Sequence, residues 1–213
     1  MKNKILITLC ILTALFALPA AAYAESDVAK VGENTYYTLA EAVKAAEGTN
    51  LAVELLEDCV LDIGSIDSDV VIKGDGTKTV SVPTQTATND VESQGRLNVR
   101  AKLIFDNCIV NFRNEYQGGN NTWSVVMGGN GVLSFLNGSK AYFSRYGIYS
   151  TAGGEINVNS SVMQLTDMQY TCMMGESYGK LNVENSSDFT IDKAADPNGI
   201  TGYEIKVDSS TFT

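Results

Sequence analysis

Histidine is absent from all 213 residues. That removes Ser-His-Asp and Cys-His nucleophile systems and histidine-ligated zinc. Cysteine offers no substitute. Cys10, Cys59, Cys108 and Cys172 are scattered, with no CxxC spacing, so neither a zinc site nor a disulfide framework is written in the chain. Cys59, Cys108 and Cys172 read as small buried apolar side chains. Chemistry must therefore come from carboxylates, lysine, arginine or tyrosine. The candidates are Asp106, Glu155, Glu184 and Asp208, with Lys102, Lys180, Arg100 and Arg113. They come singly rather than as a tight group of three carboxylates, which is the pattern of solvated charges on a regular surface. Asp75, in Lys73-Gly74-Asp75-Gly76, and the run Gly128-Gly129-Asn130-Gly131 read as turns, since no GK[ST] and no helix follow. No catalytic residue, cofactor or metal ligand is assigned.

Binding is the other chemistry available. Trp123, Tyr146 and Tyr170 precede matching points of an internal repeat by 12, 12 and 13 residues, so they are expected to stack as an aromatic column. Such a column is either a platform for sugar rings or core stacking, where each ring buries about 150–250 Å². Trp123 follows a polar loop, Tyr116 to Thr122, and loops on one face of a repeat structure often carry binding. These three residues are the ligand-binding candidates.

The repeat that positions them is explicit. Five segments share a Leu/Ile-x-Phe/Val core: Leu103-Ile104-Phe105, Leu133-Ser134-Phe135, Ile156-Asn157-Val158, Leu181-Asn182-Val183 and Ile205-Lys206-Val207. Their Phe/Val positions are spaced 30, 23, 25 and 24 residues apart. Val53-Glu54-Leu55 and Val70-Val71-Ile72 read as divergent copies. Alternation of apolar and polar residues predicts short strands with one buried face. Two positions on comes Asn107, Asn137, Ser160, Asn185 or Ser209, suited to a left-handed bend and to a ladder of side-chain hydrogen bonds. A small residue follows: Cys108, Gly138, Ser161, Ser186 or Ser210. A second strand then begins, as at Val162 to Leu165 and Phe189 to Ile191. Stacked in register, Glu155, Lys180 and Glu204 alternate in sign. The expected fold is all-β, a right-handed parallel β-helix, in preference to an antiparallel sandwich.

The chain divides into residues 1–24, 25–50 and 51–213. Lys2 and Lys4, an uncharged run from Ile5 to Leu18 and the small-x-small end Ala22-Tyr23-Ala24 predict a cleaved signal peptide. Its apolar run is short of the ~20 residues that span a bilayer. Without Lys2 and Lys4, 13 basic residues face 25 acidic ones, a charge of −12. That charge argues against nucleic acid and against docking on anionic membranes. In residues 25–50, Val31 to Tyr37 reads as a strand. Thr38 and Glu41 form a capping box, and Leu39, Ala42, Val43 and Ala46 lie on one face of a helix that Gly48 ends. The helix is expected to cover the first coil, while Thr213 falls mid-coil, so further sequence is expected beyond it.

Tyr37, Thr38-Leu39-Ala40-Glu41-Ala42-Val43-Lys44-Ala45-Ala46 and Val53-Glu54-Leu55-Leu56-Glu57-Asp58 resemble the opening of exported β-helix proteins of Gram-positive bacteria, similar to the pectin-lyase-like fold. Where that opening reads G-D-x-V, this chain has Gly48-Thr49-Asn50-Leu51. The resemblance implies a secreted or cell-surface solenoid and leaves activity open. The primary expectation is a non-catalytic domain that binds glycans or a cell-surface ligand, as an adhesin does. The alternatives are a polysaccharide lyase or glycoside hydrolase, built on the acid, Lys and Arg residues named above, and a structural spacer displaying another domain.

Overall fold

A computed structural model describes residues 26–83, 97–113, 123–151, 153–168, 172–192 and 199–213. The signal segment lies outside these residues. Strands dominate, and among the described residues every pairing between two strands that begin at Val53 or later is parallel. An antiparallel sandwich is thereby excluded, and the arrangement is compatible with an all-β solenoid.

The strands fall into three columns. The first holds β3 (Val53–Leu55), β6 (Val70–Lys73), β9 (Lys102–Asp106), β12 (Val132–Leu136), β15 (Glu155–Asn159), the second half of β17 (Met173–Glu184), and β19 (Ile200–Asp208). The second holds β4 (Cys59–Val60), β7 (Thr79–Pro83), β10 (Ile109–Arg113), β13 (Lys140–Ser144), β16 (Val162–Thr166), β18 (Asp188–Asp192) and β20 (Thr211–Phe212). The third holds β5 (Ser65–Ile66), β8 (Leu97–Val99), β11 (Val125–Met127), β14 (Ile148–Ser150) and the first residues of β17 and β19. The long strand β17 joins the first and third columns into one sheet.

The register matches the sequence repeat. Leu103, Leu133, Ile156, Leu181 and Ile205 are consecutive partners, as are Phe105, Phe135, Val158, Val183 and Val207. Val70 and Ile72 join these rows beside Leu103 and Phe105. Val53-Glu54-Leu55 does not: Val53 faces Ile72, two positions off the expected alignment. In-register stacking puts like beside like, so Phe105 lies on Phe135 with centroids 5.7 Å apart, and Phe112 on Phe143 at 4.1 Å. The two stacks meet edge-on, Phe105 to Phe112 at 6.5 Å, an arrangement the ring quadrupoles favour.

All five expected bends are left-handed: Asn107 (φ 56°), Asn137 (55°), Ser160 (49°), Asn185 (58°) and Ser209 (51°). The small-residue row needs correction. The corners at 107–108, 160–161 and 209–210 have two residues, but those at 137–139 and 185–187 have three. The extra residue, Gly138 or Ser186, is exposed with positive φ, and Ser139 and Ser187 take the buried corner instead. The hydrogen-bond ladder runs through this inner row. Cys108 N–H donates to Ser139 Oγ (3.1 Å), Ser161 N–H to Ser187 Oγ (3.2 Å), and Ser187 N–H to Ser210 Oγ (3.1 Å). A second ladder lies mid-strand: Asn182 Nδ2 donates to Asn157 Oδ1 (2.8 Å), and Asn157 Nδ2 to Ser134 Oγ (3.3 Å).

At the N-terminal side the single strand expected over Val31 to Tyr37 is a hairpin. β1 (Ala29–Val31) and β2 (Asn34–Tyr36) pair antiparallel about Gly32 (φ 59°), and β1 then pairs antiparallel with β3. Helix α1 spans Leu39–Ala46. Thr38 Oγ1 accepts from Glu41 N–H (3.2 Å) and donates to Glu41 Oε2 (2.9 Å). Leu39, Ala42, Val43 and Ala46 are all buried in the common core, and α1 rests on β1, β2, β3 and β6.

Candidate functional site

The aromatic candidates part company in three dimensions. Trp123 precedes β11 and is half-buried. Tyr146 occupies the matching place before β14, since Val125 and Ile148 are partners, but its ring is buried. Tyr170 lies outside the described residues. The ring that meets Trp123 is Tyr149, three residues beyond Tyr146: the centroids are 5.4 Å apart and the planes 18° from parallel.

The local chain explains this pairing. Ile148 and Ser150 point inward and are buried, so the alternation of β14 turns Tyr149 outward. Ser124 fixes the backbone under Trp123. Its hydroxyl donates to Tyr146 O (2.7 Å) and its N–H to Gly147 O (3.0 Å). On its other side Gly147 lies close against the next coil, since a Cβ there would stand 1.6 Å from Cys172 O.

Tyr149 Oη donates to Glu176 Oε1. Met174, the register partner of Tyr149, is 39% exposed, and Tyr178 is 85% exposed. The third column thus carries an outward ledge of Trp123 stacked on Tyr149, with Met174 beside it and the Glu176 carboxylate at its margin. Aromatic faces accept the C–H face of a sugar, and a carboxylate accepts its hydroxyl hydrogen bonds. Tyr149 and Glu176 were missed from sequence. A three-residue strand gives little alternation to read, and Glu176 lies where β17 shifts register between Met174 and Gly179.

The acid–base candidates are spread over the outer faces. Asp106 accepts from Asn137 Nδ2 (2.7 Å), Glu155 from Asn182 Nδ2 (3.4 Å), and Asp208 from Ser209 Oγ (3.1 Å). Glu184 pairs with Lys206, whose ammonium that contact holds above its ordinary pKa. Arg100 pairs with Asp67 (3.1 Å), and Lys102 approaches Asp69 (3.8 Å). The Ser65 hydroxyl, then Arg100, hold the Asp67 carboxyl below the usual range. Glu155, Lys180 and Glu204 are in register as expected. The side chain of Arg113 lies outside the described residues. Among the described residues, no three His, Cys, Asp or Glu side chains converge to hold a metal ion.

The turn readings hold. Asp75 Oδ1 accepts from Thr77 N–H (2.9 Å), Thr77 Oγ1 (2.7 Å) and Lys78 N–H (3.3 Å), contacts that lower its pKa. Gly131 N–H closes onto Gly128 O (2.9 Å). Cys59, Cys108 and Cys172 form no disulfide with one another. Burial pushes Cys59 up to about 11 and Cys108 to about 12. Neither is therefore a nucleophile near neutral pH. Among the described residues, no helix is long and apolar enough to cross a membrane. No protein-family model, curated protein or solved structure matches the chain.

Proposed function

We propose that this chain is a non-catalytic, secreted or cell-surface domain that binds glycans, with the Trp123–Tyr149 ledge as its binding face. The stacked ring pair beside Glu176 carries this reading. A large apolar ring pair held half out of the core by a strand face costs hydration that a bound sugar would relieve. The fold that goes with it is a right-handed parallel β-helix of pectin-lyase-like type. Helix α1 is its cap, and residues 1–24 are its export signal. The regular, separately bonded outer charges support the non-catalytic form over the lyase or hydrolase form. They act as a solvated surface, and a surface of net negative charge keeps an exported protein dispersed.

The test is a glycan array read with the wild type, Trp123→Ala and Tyr149→Phe. Binding that falls about tenfold or more in Trp123→Ala supports the ledge. Tyr149→Phe keeps the stack and frees Glu176, so it is expected to change which sugars are preferred more than how tightly they bind. Equal binding by the wild type and Trp123→Ala would remove the ledge from consideration. Turnover of any acidic polysaccharide by the wild type would overturn the non-catalytic reading.

A further inference from the structure

The Trp123–Tyr149 ledge carries a charge pattern unlike that of the neighbouring face. The outward row of the third column runs Asn98, Val126, Tyr149 and Met174 in register. It holds no lysine or arginine, whereas an outward row of the first column alternates Glu155, Lys180 and Glu204. The charge that meets the ledge is Glu176, an exposed carboxylate. Tyr149 Oη donates to its Oε1. That bond holds the carboxylate beside the ring and leaves lone pairs on both oxygens for a further donor. Elsewhere on the surface carboxylates are matched by cations: Lys30, Lys78, Arg100, Lys102 and Lys206 each face one. Among the described residues Glu176 meets a phenol hydroxyl and no ammonium or guanidinium.

We infer that the ledge selects a cationic amino sugar, one that carries a protonated amine in place of an acetamide or a carboxylate. The inference rests on the ledge being a glycan site. A pyranose that lays its C–H face on the aromatic pair turns its equatorial substituents toward the margin, where the Glu176 carboxylate stands. A protonated amine there gains twice. The negative faces of the indole and phenol rings attract a cation, and the carboxylate accepts charge-assisted hydrogen bonds from its N–H groups. N-Acetylation leaves one N–H donor and removes the charge, so the cation–ring attraction goes and an ordinary hydrogen bond remains. A uronic acid brings a second carboxylate toward Glu176. It is repelled there and by the net negative charge of the whole chain. The site is open to water, so the preference for the amine is moderate, about tenfold.

Titration calorimetry of the full chain with short oligomers of glucosamine, N-acetylglucosamine and galacturonic acid tests this, at a mildly acidic pH where the amine is protonated and carboxylates are ionised. The wild type is expected to bind glucosamine oligomers about tenfold more tightly than N-acetylglucosamine oligomers, and galacturonic acid oligomers most weakly. Added salt should shrink the gap between the two amino sugars. Glu176→Gln keeps an acceptor for Tyr149 Oη and removes the charge. It is expected to lower glucosamine binding about fivefold or more and to leave N-acetylglucosamine binding within about twofold. Glu155→Gln, on the outer face of the first column, is expected to leave both unchanged. Equal binding of the two amino sugars by the wild type overturns the inference. So does a preference that survives Glu176→Gln, or one that falls as far in Glu155→Gln, which would assign it to overall charge. Trp123→Ala separates this outcome from the fate of the ledge itself. If that variant weakens every oligomer while the wild type shows no preference, the ledge stands and the charge selection falls. If it weakens none, both fall.

Discussion

The first and the last described coils treat the same kind of apolar row differently. At the first coil a hairpin turns the sheet edge antiparallel, and a two-turn helix buries four apolar side chains in the common core. At the last coil the rows simply continue outward, so residues of the same class as their buried neighbours stand near 40% exposed. A repeat of this kind makes each coil depend on the coils above and below it. The difference teaches that burial here belongs to a position in the stack rather than to a residue type: Leu181 and Ile205 share a row and differ in everything that burial confers.

The largest test of that contrast compares apolar truncations. Leu39→Ala at the helix end empties a fully buried site and is expected to cost about 3 kcal/mol, read from urea unfolding. Ile205→Ala is expected to cost below about 1 kcal/mol, because the site is already 42% exposed. Equal losses would show that the last coil is buried in solution. Corner serines give a smaller version. Ser187 is buried, and its hydroxyl accepts from Ser161 N–H and reaches Val158 O, tying its coil to the preceding one, so Ser187→Ala should cost about 1–2 kcal/mol. Ser210→Ala, half-exposed, should fall within about 0.5 kcal/mol of the wild type. The smallest effect concerns the helix itself. Thr38→Ala removes the hydroxyl cap and should cost about 1 kcal/mol; amide exchange should then rise in Leu39–Ala46 and stay unchanged in β19.

Much of this was legible in the sequence because stacking enforces it. A parallel, in-register row needs the same residue class at the same offset, so Leu103 through Ile205 and Phe105 through Val207 could be aligned by eye. The bends were legible because Asn and Ser tolerate positive φ at small cost. The helix was legible from Thr38, Glu41 and one apolar stripe. What escaped detection lacks such enforcement. Gly138 and Ser186 are single-residue insertions at exposed corners, where nothing in the pattern signals a third residue. The hairpin about Gly32 looked like one strand because its turn, Gly32-Glu33, is only two residues long. At the candidate site, Trp123, Tyr146 and Tyr170 were expected to stack as one column, but the ring that meets Trp123 is Tyr149, three residues beyond Tyr146.

The sequence by itself determined the repeat, its phase and its bends, because local residue class is all that those features require. It also determined the helix and the absence of histidine chemistry. Tertiary structure alone decided which rings meet and which serines carry the corner. It also decided that Val183 is fully buried while Val207, in the same row, is 43% exposed. Those outcomes depend on the exact number of residues in each corner and on which coil lies next, quantities that a single strand does not encode. The same reason makes Trp123 and Tyr149 neighbours: they are 26 residues apart in the chain, and only the stacking of one coil on the next brings the two rings face to face.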